Sequence, residues 1–250
     1  MIDRIISGGQ TGADRAALDV AIEMGISHGG WIPQGRRTED GKLPEEYRLR
    51  ETKGIDYAQR TELNVVDADG TLIASHGKLA GGSALTQKMA AKHRCPCLHM
   101  DLDELDIQTA AEVVHSWIEA REITTLNVAG PRASEDPAIY EATKRLLETV
   151  LKRYLPKTVE AAVERLLSEI PLKRKAAISR IGVEDLASLH FEMGQYVQRR
   201  LGLWFGNDDL MASCRKVAGE SDLHEDDASA LIIKELWKRL RESHVLRPVE

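Results

Sequence analysis

The residues best suited to chemistry form one run, Gly8-Gly9-Gln10-Thr11-Gly12-Ala13-Asp14-Arg15. A short apolar pair, Ile5-Ile6, precedes it, and Ala16-Ala17-Leu18-Asp19-Val20-Ala21-Ile22 follows with helical spacing. A strand, a glycine turn and a helix start aim backbone N–H groups and the positive end of a helix dipole at an anion. Gly8, Gly9 and Gly12 allow a tight turn and a close approach by phosphate, while Gln10 and Thr11 add side-chain contacts. Asp14 sits where a carboxylate favours the helix dipole by about 0.3–1 kcal/mol, so capping and ligand contact compete for it. On this reading Gly12→Val abolishes binding and leaves the fold largely intact.

Three more loops have the same character. In Ser75-His76-Gly77-Lys78-Leu79-Ala80-Gly81-Gly82-Ser83-Ala84-Leu85-Thr86, Gly81 and Gly82 open a helix, and Ser83 and Thr86 can donate hydroxyls. In Gly130-Pro131-Arg132-Ala133-Ser134, Gly130 makes the turn and Arg132 can clamp a phosphate bidentately. In Pro33-Gln34-Gly35-Arg36-Arg37-Thr38 the two arginines either meet a ligand or stay solvated. Trp31, just before that loop, is either a core residue or a stacking platform for a heterocycle.

Other constellations are weaker. His93-Arg94-Cys95-Pro96-Cys97-Leu98-His99 alternates potential ligands, but along a strand they would line up on one face, which suits a tetrahedral metal poorly. A proline at a strand start explains the segment as well, so no protein-ligated metal is expected. Nucleophile-elbow, zinc-protease and P-loop signatures are absent from the sequence. Asp14, Glu62, Asp67 and Asp69 are carboxylates that an enzyme would need to place, and sequence alone cannot pair them.

These loops need strands and helices to hold them. Ile5-Ile6, Gly29 to Pro33, Thr71 to Ala74, Cys97 to Met100 and Leu126 to Ala129 read as strands, with helices near 81–93, 108–120 and 137–153 besides the one after Gly12. Alternating strands and helices predict an α/β fold, a parallel sheet with helices on both faces. Its ligand is then expected at the carboxyl ends of the strands, near a topological switch point. After Leu155-Pro156-Lys157 the pattern changes. Thr158 reads as an N-cap, Val159 to Ile170 has helical spacing, and further helical stretches cover about 173–181, 184–201, 207–216 and 226–242. The expected organisation is a binding domain over 1–154 and a smaller all-α domain over 155–250.

Composition bounds the partners. The 250 residues carry a formal charge of −6, which argues against nucleic-acid binding by general electrostatics. No apolar run reaches the roughly 20 residues of a membrane span, and no leader pattern is present. Three cysteines, an odd number, suit a reducing compartment, so a cytoplasmic location is expected.

Taken in order, Gly8 to Asp19, Gly30-Trp31-Ile32-Pro33, Asp69 to Ile73, Gly81 to Thr86 and Val128 to Arg132 resemble the molybdenum cofactor carrier proteins. These are Rossmann-like relatives of the LOG cytokinin-activating phosphoribohydrolases, and the resemblance covers about residues 1–153. It implies a homo-oligomeric carrier whose glycine loops hold the phosphate of a molybdopterin-type cofactor. The LOG relatives carry Pro-Gly-Gly-x-Gly-Thr-x-x-Glu, with a hydrolytic carboxylate at its end. This chain reads Ala80-Gly81-Gly82-Ser83-Ala84-Leu85-Thr86-Gln87-Lys88, without the proline or the glutamate. A carrier is therefore expected rather than an enzyme, with a nucleotide sensor or a nucleoside-monophosphate N-glycosidase as alternatives. The tail resembles a small uncharacterised domain through Asp185 to Phe191 and Leu203 to Leu210, with Trp204 and Trp237 read as packing residues. Docking of a molybdoenzyme or another protein partner on that tail stays open.

Overall fold

The computed structural model describes residues 2–243. The chain divides into two compact units that part between Tyr154 and Leu155.

The first unit opens with β1 (Arg4–Ile6), α1 (Ala13–Glu23) and β2 (Ser27–Gly29). Short pieces follow: β3 (Trp31–Ile32), β4 (Arg37–Thr38), β5 (Gly41–Lys42) and β6 (Arg50–Glu51). Then come α2 (Tyr57–Val66), β7 (Gly70–Ser75), α3 (Gly81–His93), β8 (Cys97–Asp101), α4 (Ile107–Ala120), β9 (Thr125–Ala129) and α5 (Ile139–Lys152). Five strands form one parallel sheet in the order β2-β1-β9-β7-β8. Its register sets Ile5 beside His28 on one side and Leu126 on the other. Every residue of β7 is buried, as expected of a strand covered on both faces.

Chain direction sets the layers. β1 passes through α1 to β2 on one side, and β7 passes through α3 to β8 on the other, so right-handed crossovers put α1 and α3 on opposite faces. α5 packs between α1 and α4, and α2 packs on α3. β9 returns to the centre, between β1 and β7. The carboxyl ends of β1, β9 and β7 therefore meet at the switch point, with a glycine loop after each.

The second strand begins earlier than the apolar residues suggest. The chain leaves the sheet at Gly30 (φ +124°), where a Cβ would lie 2.1 Å from the Ser7 carbonyl oxygen. Trp31 and Ile32 then pair with β6 in a separate two-stranded ladder.

The second unit has helices and no strand among its described residues: α6 (Val159–Glu169), α7 (Leu172–Ser179), α8 (Leu186–Arg200), α9 (Asp208–Ala218) and α10 (Glu225–Ser243), with short 3-10 turns at Val183–Asp185 and Leu203–Phe205. The Thr158 hydroxyl accepts the Ala161 N–H at 3.1 Å, which is the cap expected of it. Leu166, Val197, Leu201, Leu210, Ile232 and Leu236 have no exposed surface and form a core of this unit's own. Trp237 packs there and donates to the Ile181 carbonyl at 2.8 Å. Trp204 stays 45% exposed, with Arg199 over its ring. No helix among the described residues is long and apolar enough to cross a membrane.

Candidate functional site

A cleft of about 90 Å³, open to solvent, lies at the switch point of the first unit. The loop after β1 lines it with Gln10 and the first turn of α1 with Asp14, while β9 ends there at Ala129 and the loop after it brings Gly130, Arg132 and Glu135. The start of α3 brings Gly82, Leu85 and Thr86, while α2 brings Tyr57, Arg60 and Thr61. Thus three of the four glycine loops meet, together with a helix that the sequence reading did not locate.

Asp14 and Arg60 form the buried polar centre. Arg60 Nη1 donates to Asp14 Oδ2 at 3.3 Å, and the Gln10 N–H donates to the same oxygen at 3.3 Å. Their side chains are only 5% and 13% exposed. Burial pushes the Asp14 carboxyl above its usual range, against the pull of Arg60 and the Gln10 amide. The Arg60 Nε is buried and has no hydrogen-bond partner. A Cβ on Gly8 would sit 1.8 Å from Arg60 Nη1, so this glycine makes room for the guanidinium. Capping and ligand access are therefore not exclusive at Asp14: it holds the loop and also lines the cleft.

The glycines divide into two classes. Gly12 (φ +75°) faces the backbone of the neighbouring loop, where a Cβ would meet the Pro131 oxygen at 2.4 Å. At Gly9 (φ +72°) a Cβ would strike Leu43 and Leu49 at 2.8 Å, and at Gly130 the Ala74 oxygen at 2.4 Å. Loop packing, rather than room for phosphate, requires these three. Gly12→Val therefore disrupts the loops themselves, contrary to the expectation of an intact fold. At Gly82 nothing lies within 4 Å, and Gly81 (φ +46°) has only Glu135, at 3.9 Å. No side chain caps α3, so its first turn opens onto the cleft at Gly82. The Thr86 hydroxyl donates back to the Gly82 carbonyl at 3.0 Å.

Other predicted residues stand around the cleft rather than in it. Ser83 is buried in α3. The Thr11 hydroxyl bonds Glu39 and accepts the Ala133 N–H. Trp31 lies outside the lining, its indole N–H bonded to Asp67 Oδ2 at 2.7 Å and Arg50 over its ring. Arg36 is buried and donates to the carbonyls of Leu43, Pro44, Tyr47 and Leu49, so it knits its own loop together. Glu62 pairs with Lys92 and His93 on α3. Asp69 precedes β7, at the amino end of the sheet, and accepts the N–H groups of Thr124 and Thr125. Of the carboxylates considered from sequence, Asp14 alone reaches the cleft.

Tyr57, Arg60 and Thr61 were missed because α2 buries mainly Thr61, Asn64 and Val65, a face with almost no apolar period. The available signal was Asp56, which caps the helix by accepting the Ala58 N–H at 2.8 Å. Among the described residues, no group of three or more His, Cys, Asp or Glu side chains is placed to hold a metal ion.

Residues 5–151 match the circularly permutated YpsA SLOG family, and residues 155–240 match a domain of unknown function, DUF6794. No curated protein matches the chain. The chain is similar to the 1.45 Å crystal structure of a protein from Syntrophus aciditrophicus SB, whose provisional assignment is molybdenum carrier protein. That match has 57% identity and a TM-score of 0.60, and covers 60% of this chain and 95% of the other. The family model spans more than half of the 250 residues, and the chain belongs to the circularly permutated YpsA SLOG family.

Proposed function

We propose that the first unit is a carrier that holds a phosphorylated pterin of the molybdenum-cofactor class by its phosphate. The observation that carries this reading is the cleft itself, where an uncapped helix start with open space at Gly82 faces two arginines, Arg60 and Arg132. Arg60 brings a guanidinium cation to the cleft wall, and a charge-assisted bond to it contributes about 1.5–3 kcal/mol. Arg132 is paired with Glu135 at 3.3 Å, but both are about half exposed, so a phosphate exchanges for Glu135 at little cost. Tyr57 and Leu85 offer the heterocycle an apolar wall. The donor set fits the phosphate end of such a cofactor, and the relative's assignment as a molybdenum carrier favours a pterin over other phosphorylated heterocycles. We assign the ligand to residues 1–154.

A second reading, N-glycosidase action on a nucleoside monophosphate, rests on Asp14, a buried carboxyl in the cleft with its proton affinity raised. The two readings part in one titration. Purified protein is melted with the molybdenum cofactor, nucleoside mono-, di- and triphosphates, and inorganic phosphate. Ligand at a hundred times its Kd stabilises the fold by about 2.7 kcal/mol. A response to the cofactor without base release from nucleotides supports the carrier. Base release from a monophosphate, abolished in Asp14→Asn, supports the hydrolase instead.

A further inference from the structure

β4 and β5 form an isolated antiparallel hairpin outside the main sheet, with Glu39 and Asp40 as its tip. The Glu39 carboxylate does not project freely. The Thr11 and Ser134 hydroxyls both donate to it, and the Ser134 N–H donates to Oε1 at 3.1 Å. The adjacent Ala133 N–H donates to Thr11 Oγ1 at 3.1 Å, which orients that hydroxyl. Although partial burial works the other way, the Ser134 and Thr11 donors, with Arg132 near, hold the Glu39 carboxyl below its usual range. Three donors and a cation around one carboxylate make the donor set of an oxyanion subsite.

The cradle adjoins the cleft. Gln10 and Arg132 line the cleft, and Gln10 Oε1 also accepts the Glu39 N–H at 2.9 Å. The tip has one more tie, a two-point pairing of Asp40 with Arg15 at 3.3 and 3.4 Å, in which Asp40 is half exposed and Arg15 largely covered. A two-stranded hairpin has marginal stability of its own, so these ties hold the tip in place.

We propose that the Thr11–Ser134 cradle is a phosphate subsite that Glu39 fills as an internal anion, and that a phosphate dianion arriving from the cleft displaces it and frees the β4–β5 tip. This rests on the phosphate-binding reading above and adds a control to it. A phosphate monoester carries a charge of about −1.5 to −2 and three acceptor oxygens, against one charge on the carboxylate, so Arg132 favours the exchange. Without ligand, Glu39 keeps the donors satisfied and weakens binding of anything that lacks a full phosphate charge.

Inorganic phosphate titrated calorimetrically into the full chain tests this. Glu39→Gln, which removes the competing charge, binds phosphate about tenfold tighter than the parent protein, as expected when charge-assisted bonds are released to the ligand. Adding Ser134→Ala to that variant cancels the gain. In the parent protein, saturating phosphate raises hydrogen exchange across residues 37–42. Unchanged or weaker binding by Glu39→Gln, with no exchange response at the hairpin, overturns the proposal and leaves Glu39 a structural strap. If neither protein binds phosphate, the subsite and the carrier reading fall together. If both bind equally, the subsite alone falls.

Discussion

At the residue scale, substitutions at the two classes of glycine give opposite results. Gly82→Val adds a Cβ at the open start of α3, where no atom outside its own helical turn and chain neighbours lies within 4 Å. It should lower phosphate affinity at least tenfold while shifting Tm by no more than a degree or two. Gly12→Val must adopt a positive φ and drive a Cβ into backbone at 2.4 Å. A strained φ alone costs about 1–3 kcal/mol, and overpacking adds to it, so that variant should be poorly soluble or lose more than 3 kcal/mol. Denaturant melts beside phosphate titrations separate the two, and a stable, non-binding Gly12→Val would refute the packing role. Arg60 joins both kinds of effect. Arg60→Met leaves Asp14 buried without its cation, which costs about 3–5 kcal/mol when an ion pair is broken from one side. The glycines were legible as a motif, but their division was not. Which neighbour a missing Cβ faces depends on loops remote in the chain, Pro131 for Gly12, Leu43 and Leu49 for Gly9, and Ala74 for Gly130.

At the element scale, long helices and the central strands were legible because their apolar periods are strong. α5 shows this in Ile139, Leu146, Leu147, Val150 and Leu151, all buried along one face. α2 was not legible, since it presses polar residues inward, and neither was the β4–β5 hairpin, whose strands are two residues each. In the second unit, one carboxylate ties two helices together. Glu169, at the end of α6, accepts from Arg165 at 3.0 Å and from Arg200 of α8 at 2.6 and 2.7 Å. Burial opposes ionisation of Glu169, but Arg200 and then Arg165 hold its carboxyl below the usual range. A carboxyl with a depressed folded pKa contributes stability that is present above its unfolded value, near 4.3, and disappears as pH falls through the lower folded value. The second unit should therefore lose stability below about pH 4. Glu169→Gln should flatten that slope and cost roughly 2 kcal/mol at pH 7, between an exposed pair and a fully buried one. Urea melts from pH 3 to 7 provide the check, and an unaltered slope would remove Glu169 from its cause.

At the scale of the whole molecule, each unit has a core of its own. The first buries Ile5, Ile6, Leu72, Ile73, Leu126 and Val128 around its sheet, and the second buries the helical cluster described above. A chain ending at Tyr154 should fold, stay soluble and bind phosphate within about threefold of the full protein, since all cleft residues lie before it. Calorimetry and phosphate titration of residues 1–154 test this. An insoluble or non-binding fragment would show that the tail supports the site.

The sequence by itself determined the alternation of strands and helices, the change of pattern after Leu155, and the presence of loops able to meet an anion. These follow from local rules: apolar period, helix caps, and the backbone freedom of glycine. Only the tertiary structure decided that β9 returns between β1 and β7, and with it which loops share a cleft. It also decided that Arg36 and Trp31 serve their own surroundings while Arg60 enters the site. The physical reason is that strand order and buried charge pairing depend on contacts between segments remote in sequence, and no local period records them.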